Sequence, residues 1–294
     1  MSRLVVTGAD GLLGSRITNP TSPFHDGSRT VVGFGKKELD ITDAVALRTT
    51  IAQDDVVINC AAYTAVDAAE TDIDRAFAVN TVGVGLLART CAEKQVRLVH
   101  ISTGYVFDGS ADNPYETFSP AAPINVYGRS KLAGEQAART EFPDALIVRT
   151  MWLYSEKTSG FPAALLSKCE RGEPVSVVSD QFASPTYTDD LVFALSDLVA
   201  HPEPPLLTHA TSTGAVSKYE FACAIAEVAG FDVDLLRPCR TTDVRAAADR
   251  PRNAVLSDSS WTGRGLKPLP DWRDALRRAF APAVTGSRAR CGPG

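Results

Sequence analysis

The sequence predicts an α/β fold, with a doubly wound parallel sheet in its first half and a smaller α/β unit after it. Three observations carry that expectation. Short, unbroken apolar runs alternate with helix-patterned stretches up to about residue 150. A glycine-rich turn follows directly on the first apolar run. Beyond residue 155 the alternation gives way to proline-rich joints.

The elements follow in order. Leu4–Val6 is the first strand, and Thr30–Gly33, Asp55–Asn59, Val96–Ser102 and Ala145–Arg149 repeat its pattern. Strands of a parallel sheet are covered on both faces, so they read as continuous apolar runs rather than alternating ones. Helices are expected at 43–52, 72–94 and 126–140. Later come a helix at 160–171, a strand at 174–179, joints at Pro185 and His201–Pro205, a strand at 206–211, and helices at 217–229 and 270–280. The segment 281–294 is rich in Gly, Pro and Arg and is expected to fray.

Composition narrows the function classes. A chain of 294 residues buries roughly three quarters of its unfolded surface and needs neither disulfide nor metal to fold. Thirty basic residues against 35 acidic ones give a net charge of −5, the wrong balance for a nucleic-acid binder. No apolar run is long enough to span a membrane. Met1–Leu13 lacks the apolar core of a signal peptide, so a cytoplasmic location is expected. The six cysteines form no Cys-x-x-Cys pair and the four histidines are scattered, so no structural metal is expected.

Gly8-Ala9-Asp10-Gly11-Leu12-Leu13-Gly14 has the spacing G-x-x-G-x-x-G, follows a strand and is expected to open a helix. A dinucleotide pyrophosphate lies against backbone N–H groups, and side chains there would hold it off. The pattern therefore marks a Rossmann-type dinucleotide site, with Gly8, Asp10, Gly11, Leu12 and Leu13 as contacts. The second strand ends at Gly33-Phe34-Gly35-Lys36-Lys37, where lysines stand in place of the carboxylate that would grip a ribose diol. Lys36 suits a 2′-phosphate, so NADPH is the expected cofactor and NADH the alternative. Residues 1–154, completed by a strand near 206–211, are then the dinucleotide-binding unit. Residues 155–280 mainly form the substrate-binding unit.

Tyr127-Gly128-Arg129-Ser130-Lys131 opens a helical run. Residues four apart share a helix face, so the phenol and the ammonium point into one space. A neighbouring ammonium is expected to lower the phenol's pKa and make it a better acid. The lysine can also grip a nicotinamide ribose. Ser102-Thr103 ends a strand of the same sheet, where a hydroxyl faces the crevice and can hold a substrate carbonyl.

Together these strings resemble the dTDP-4-dehydrorhamnose reductase family, within the extended short-chain dehydrogenase/reductase superfamily. The resemblance runs from residue 3 to about 280. It rests on Thr7–Gly14, Leu39–Asp43, Val57–Asp67, Asn80, Ser102–Gly109, Asn125–Glu135, Arg149–Ser155, Asp180–Thr186 and Arg250–Asn253. It implies reduction of the C4 ketone of a dTDP-linked 6-deoxyhexulose. It also implies Thr103, Tyr127 and Lys131 as the catalytic trio, with Asp40 and Ile41 at the adenine. Ala61, Ala62 and Tyr63 would line the cofactor cleft, Trp152 would face the sugar and Arg250 the nucleotide diphosphate.

The chain departs from the family pattern in three places. Gly104 stands where an aspartate is usual, in a position implied to meet the sugar. Ala68 stands where a lysine is frequent. Ser15-Arg16 occupy the place of a carboxylate that supports a magnesium-linked dimer in some members. A guanidinium cannot ligate magnesium, so a homodimer of that kind is not expected and the oligomeric state stays open. The first two departures leave open a 4-ketoreductase for another dTDP-4-keto-deoxysugar of an antibiotic pathway. A non-catalytic, dinucleotide-binding regulatory subunit is the remaining alternative. Dehydration is disfavoured, because Thr103-Gly104-Tyr105 offers no carboxylate beside the tyrosine.

Overall fold

The computed structural model describes residues 2–156 and 160–280. The expected fraying of 281–294 lies outside the described residues. The central sheet contains β1 (Arg3–Thr7), β2 (Thr30–Phe34), β3 (Val56–Asn59), β4 (Arg97–Thr103), β5 (Leu146–Thr150) and an edge strand, Leu207–His209. In space the edge strand lies beside β5, followed by β4, β3, β1 and β2. Every pairing in this sheet is parallel. After β1 the chain moves outward to β2 and then crosses back to β3. The connections leaving β1 and β3 run to opposite faces of the sheet, and a crevice opens at the carboxyl edge at this switch point.

Both faces of the sheet are covered, as its apolar strands require. On one face the helix Thr188–Ala200 packs Leu191, Leu195 and Leu198 against Leu4, Val6, Leu146 and Val148. On the other, α2 (Ala44–Thr50), α5 (Val84–Lys94) and α6 (Val126–Glu141) bring Leu47, Leu87 and Ala138 onto Val5, Val57 and Leu98. The helix Thr188–Ala200 is not among the elements expected from the sequence. The prolines flanking it read as joints, yet the apolar spacing between them suffices for a helix that buries one face.

Two other expectations change. The helix expected to open at the glycine turn is a single turn, α1 (Gly14–Ile17). The helix expected at 72–94 is divided, and a short α3 (Val66–Ala69) precedes it. It runs as α4 (Ile73–Phe77), a π-helical stretch (Ala78–Gly83) and α5. The widened turn drives the Asn80 carbonyl against α6. It fits only because residue 134 is glycine, where a Cβ would lie 2.0 Å from that oxygen. The Asn80 amide then donates to Tyr63 O at 3.0 Å and to Ser130 Oγ at 2.9 Å, tying the loop after β3 to α6.

Beyond β5, Gly160–Glu170, Lys218–Ala229 and Trp272–Phe280 surround a second core that holds Leu165, Phe221, Ile225, Trp272 and Leu276. A parallel strand pair, Val175–Val178 with Leu236–Cys239, flanks it. Arg16 of α1 reaches Asp189, in the first turn of the helix Thr188–Ala200, at 2.6 Å, and Glu156 at 2.7 Å. Among the described residues no helix is long and apolar enough to cross a membrane.

Helix α6 is held to the sheet by charge as well as by packing. Glu135 and Arg149 are both buried and meet at 2.6 Å, and Ser102 Oγ donates to Glu135 at 2.5 Å. Breaking such a pair leaves one buried charge uncompensated. Glu135→Leu is expected to cost about 3–5 kcal/mol of stability, measured by urea unfolding. A loss below about 1 kcal/mol, the scale of exposed pairs, would contradict this account.

Candidate active site

A cleft of about 700 Å³ opens at the carboxyl edge of the sheet. It is lined by Gly8, Asp10, Gly11, Leu12 and Leu13 from the turn after β1, and by Lys36, Asp40 and Ile41 from the segment after β2. Ala61, Ala62 and Tyr63 come from the loop after β3, and Thr103, Tyr127, Lys131 and Trp152 complete it. Positions more than a hundred residues apart are thus gathered at one sheet edge. Of the residues singled out in the sequence, Gly104 and Arg250 do not line it.

The glycine turn is built by close approach. Gly8 has φ +67°, and a Cβ there would sit 2.6 Å from Ala61 N, so the β1 and β3 loops touch at this point. At Gly14 a Cβ would lie 2.3 Å from Gly8 O. Among the described residues the N–H groups of Leu12 and Leu13 have no protein acceptor. A one-turn helix has little dipole to offer, so it is these loop N–H groups that suit a pyrophosphate. The turn, the apolar floor and the cation at Lys36 fit a dinucleotide with a 2′-phosphate.

The tip of β2 holds a group that the sequence reading passed over. The Glu38 carboxylate folds back and accepts from Gly35 N–H at 2.7 Å, so an acidic group does stand near that tip. It is committed to the backbone and does not line the cleft, whereas Lys36 does. Asp40 is similarly engaged, accepting from Thr42 N–H at 3.0 Å and from its hydroxyl at 2.7 Å.

Tyr127 sits in the first turn of α6, which Asn125 caps by accepting from Gly128 N–H at 2.7 Å. A Cβ at residue 128 would lie 2.2 Å from Tyr105 O, so glycine lets this turn press against the end of β4. Tyr105 meets Tyr127 edge-on, with ring centroids 5.9 Å apart. Burial pushes the Tyr127 phenol up to about 12, and a hydrogen bond with Thr103 opposes the rise. The pKa expected from sequence, lowered by the lysine, is therefore not found. Desolvation dominates, and Lys131 Nζ donates instead to Ile101 O at 2.7 Å. Burial brings Lys131 itself down to about 8, against the pull of Glu135 and Cys60.

Trp152 follows β5 with φ +41°, an unfavourable conformation for a bulky residue and one that tends to occur at functional sites. Its ring stacks toward Phe221 of the second core, so it joins the cleft to that unit. Gly104 is buried beneath the cleft, and a Cβ there would lie 3.2 Å from Met151 Sδ and 3.3 Å from Leu256 Cδ2. Arg250 lies in an adjoining cavity of about 510 Å³ with Lys218, Arg245 and Gln181. It grips Asp67 at 2.6 and 2.7 Å, and this contact holds the Asp67 carboxyl down at about 2. Asp67 and Lys218 were not singled out as site residues. Asp67 lies within a motif string, but nothing in the sequence around Lys218 marks it.

A crevice at the switch point of a doubly wound sheet, with a glycine turn on one side and a threonine, tyrosine and lysine on the other, defines a dinucleotide-dependent oxidoreductase of the short-chain type. The family model described as RmlD substrate binding domain matches residues 2–284. The chain belongs to that family, the dTDP-4-dehydrorhamnose reductases. A dTDP-4-dehydrorhamnose reductase of Mycolicibacterium smegmatis is 43% identical over 287 residues, covering 97% of this chain and 86% of the relative. A Streptomyces antibioticus protein named as a probable dTDP-4,6-dihydroxy-2-methyloxan-3-one 4-ketoreductase is 38% identical, covering 95% of this chain and 94% of its own. The crystal structure of a Bacillus anthracis dTDP-4-dehydrorhamnose reductase in complex with NADP superposes with a TM-score of 0.90 at 35% identity, covering 95% of this chain and 98% of that one.

Proposed function

We propose that this protein reduces the C4 ketone of dTDP-4-dehydrorhamnose to give dTDP-L-rhamnose, with NADPH as the reductant. The observation that carries the reading is the placing of Tyr127 and Lys131 on one face of α6, with Thr103 at the end of β4, all lining the cleft that the glycine turn opens. The relatives' names and the NADP in the Bacillus anthracis structure support the substrate and the cofactor.

Bound NADPH supplies the hydride. The chain's residues do the rest. Gly8 to Leu13 present backbone N–H groups to the pyrophosphate, and Lys36 meets the 2′-phosphate. Lys131 reaches the nicotinamide ribose. Thr103 holds the ketone oxygen and fixes its direction, the positioning part of the rate gain. Tyr127 gives its proton to that oxygen as negative charge builds there. Burial keeps the phenol protonated at neutral pH, which is the form a donor needs. The resulting phenolate is favoured by the lysine's charge. Trp152 faces the sugar. The residues from 155 to 280 that surround the second core, with Arg250 and Lys218 at their edge, hold the nucleotide diphosphate. The reading places the enzyme in the cytoplasm.

A second reading keeps the chemistry and changes the sugar. The Streptomyces antibioticus relative supports it.

NADPH absorbance should fall when the protein meets dTDP-4-keto-6-deoxy-D-glucose together with a 3,5-epimerase, and dTDP-L-rhamnose should form. Tyr127→Phe should lower kcat by about 10²–10⁴-fold, the range for loss of a general acid. Turnover only with other dTDP-4-keto sugars would select the second reading. Lys36→Ala should raise the KM for NADPH about tenfold, as loss of one charged contact of about 1.4 kcal/mol does. The KM for NADH should hardly move, and an equal rise for both would contradict a role at the 2′-phosphate.

A further inference from the structure

Behind Lys131 lies a row of buried polar groups that the proposed reaction leaves unused. Thr7, Asn59 and His100 stand in register across β1, β3 and β4, and all three are fully buried. Their hydrogen bonds run one way. Thr7 Oγ1 donates to Asn59 Oδ1 at 2.6 Å, and Ala61 N–H donates to the same oxygen at 3.1 Å. A backbone N–H can only donate, so the amide of Asn59 has one permitted orientation, with its nitrogen toward His100. That nitrogen meets His100 Nδ1 at 3.0 Å. An amide NH₂ has no acceptor capacity, so Nδ1 must accept.

The tautomer follows. Burial, and then the nearby Lys131, holds the His100 imidazole well below its ordinary pKa, so the ring is neutral. A neutral ring with a bare Nδ1 carries its proton on Nε2. His100 Nε2 lies 3.5 Å from Lys131 Nζ. Toward an ammonium this is a donor facing a donor. Toward a neutral amine it is a donor facing a lone pair.

We propose that Asn59 and His100 are positioning residues that act through Lys131: locking the imidazole as its Nε2–H tautomer weakens the ammonium form of the lysine and lowers the alkaline limit of the reaction. The statement about the reaction rests on the reductase reading above, whereas the tautomer and the lysine's titration do not. The other groups facing the lysine are Tyr127 one turn before it on α6, Glu135 one turn after it, and the Cys60 thiol from the loop after β3. Glu135 and Cys60 favour the ammonium, while burial opposes it and dominates, leaving the lysine at about 8. The sign follows from that depressed value. Below it the lysine is charged and supports proton donation by Tyr127. As pH rises through it the charge and the activity are lost together.

His100→Gln removes the locked donor and puts a neutral amide in its place, whose carbonyl can turn to the ammonium. The lysine's titration, followed by NMR of its labelled Cε in wild type and variant, should move up by about one pH unit or more, on the scale of a single changed polar neighbour. The alkaline limb of kcat/KM should move with it. A lower kcat with an unmoved limb and unmoved titration would mean that His100 only packs, and would overturn the proposal. Long-range ¹H–¹⁵N correlation of the histidine rings in the wild-type protein decides the tautomer even if the variant fails to fold. Protonated Nε2 with bare Nδ1 supports the proposal, and the reverse overturns it. These NMR readouts need no substrate. Failure to turn over any dTDP-4-keto sugar, with the Nε2–H tautomer present and the lysine titration shifted, would overturn the reductase reading and leave the lock supported.

Discussion

Helix α6 can present Tyr127 to Thr103 only because buried charge pins it to the sheet. Lys131 donates to the Ile101 carbonyl, and one turn on Glu135 binds both Ser102 and Arg149. Both contacts lie along β4 and β5, directly beneath the cleft. Taking these charges out of water is costly, and each partner is tolerated only while the other stays in place. A helix anchored by apolar packing alone could slide or roll by a fraction of a turn. Paired buried charges allow one register, so the phenol and the strand-end hydroxyl keep their separation. Removing side-chain volume serves the same end. Gly128 and Gly134 let α6 approach the Tyr105 and Asn80 carbonyls more closely than any other residue would permit.

The cofactor side of the cleft is set by a different constraint. The chain reverses direction across the sheet between β1 and β3, and the two loops that leave them meet at Gly8 and Ala61. That contact closes the floor of the crevice, and among the described residues the N–H groups of Leu12 and Leu13 have no protein acceptor. The switch point and the α6 anchor lie on neighbouring strands, so on the proposed reading the reductant and the proton donor would be held by one rigid sheet. Trp152, with its unfavourable backbone conformation, carries the end of β5 out toward the second core. The sugar nucleotide is thus expected to bridge a fixed edge and a separately packed unit.

Much of this was legible in the sequence, for reasons that are local. The five strands before residue 150 show as apolar runs because a parallel sheet is covered on both faces. The glycine turn and Tyr127 with Lys131 are short-range patterns with a direct geometric meaning. What escaped depends on distant partners. The helix Thr188–Ala200 is hidden between prolines, and the π-helical stretch at 78–83 answers to Gly134 some fifty residues later. The side chain of Glu38 folds back onto Gly35, and Arg250 turns to Asp67, a contact that no spacing rule predicts. The lowered tyrosine pKa failed as an expectation because spacing reports which groups are neighbours but not how deeply they are buried. The buried row of Thr7, Asn59 and His100 was invisible for the same reason, since its members touch only across strands.

The central claim is that the ketone oxygen is held between Thr103 and Tyr127 while the nucleotide lies toward Arg250 and Lys218. The most direct test is a crystal structure of the Tyr127→Phe protein with NADPH and the dTDP-4-keto sugar, in which the loss of the proton donor preserves the complex. The account predicts the C4 oxygen within hydrogen-bond distance of Thr103 Oγ1 and facing the ring of residue 127, with the nicotinamide ribose at Lys131. A sugar bound in the cleft with its C4 oxygen turned away from both residues would contradict it.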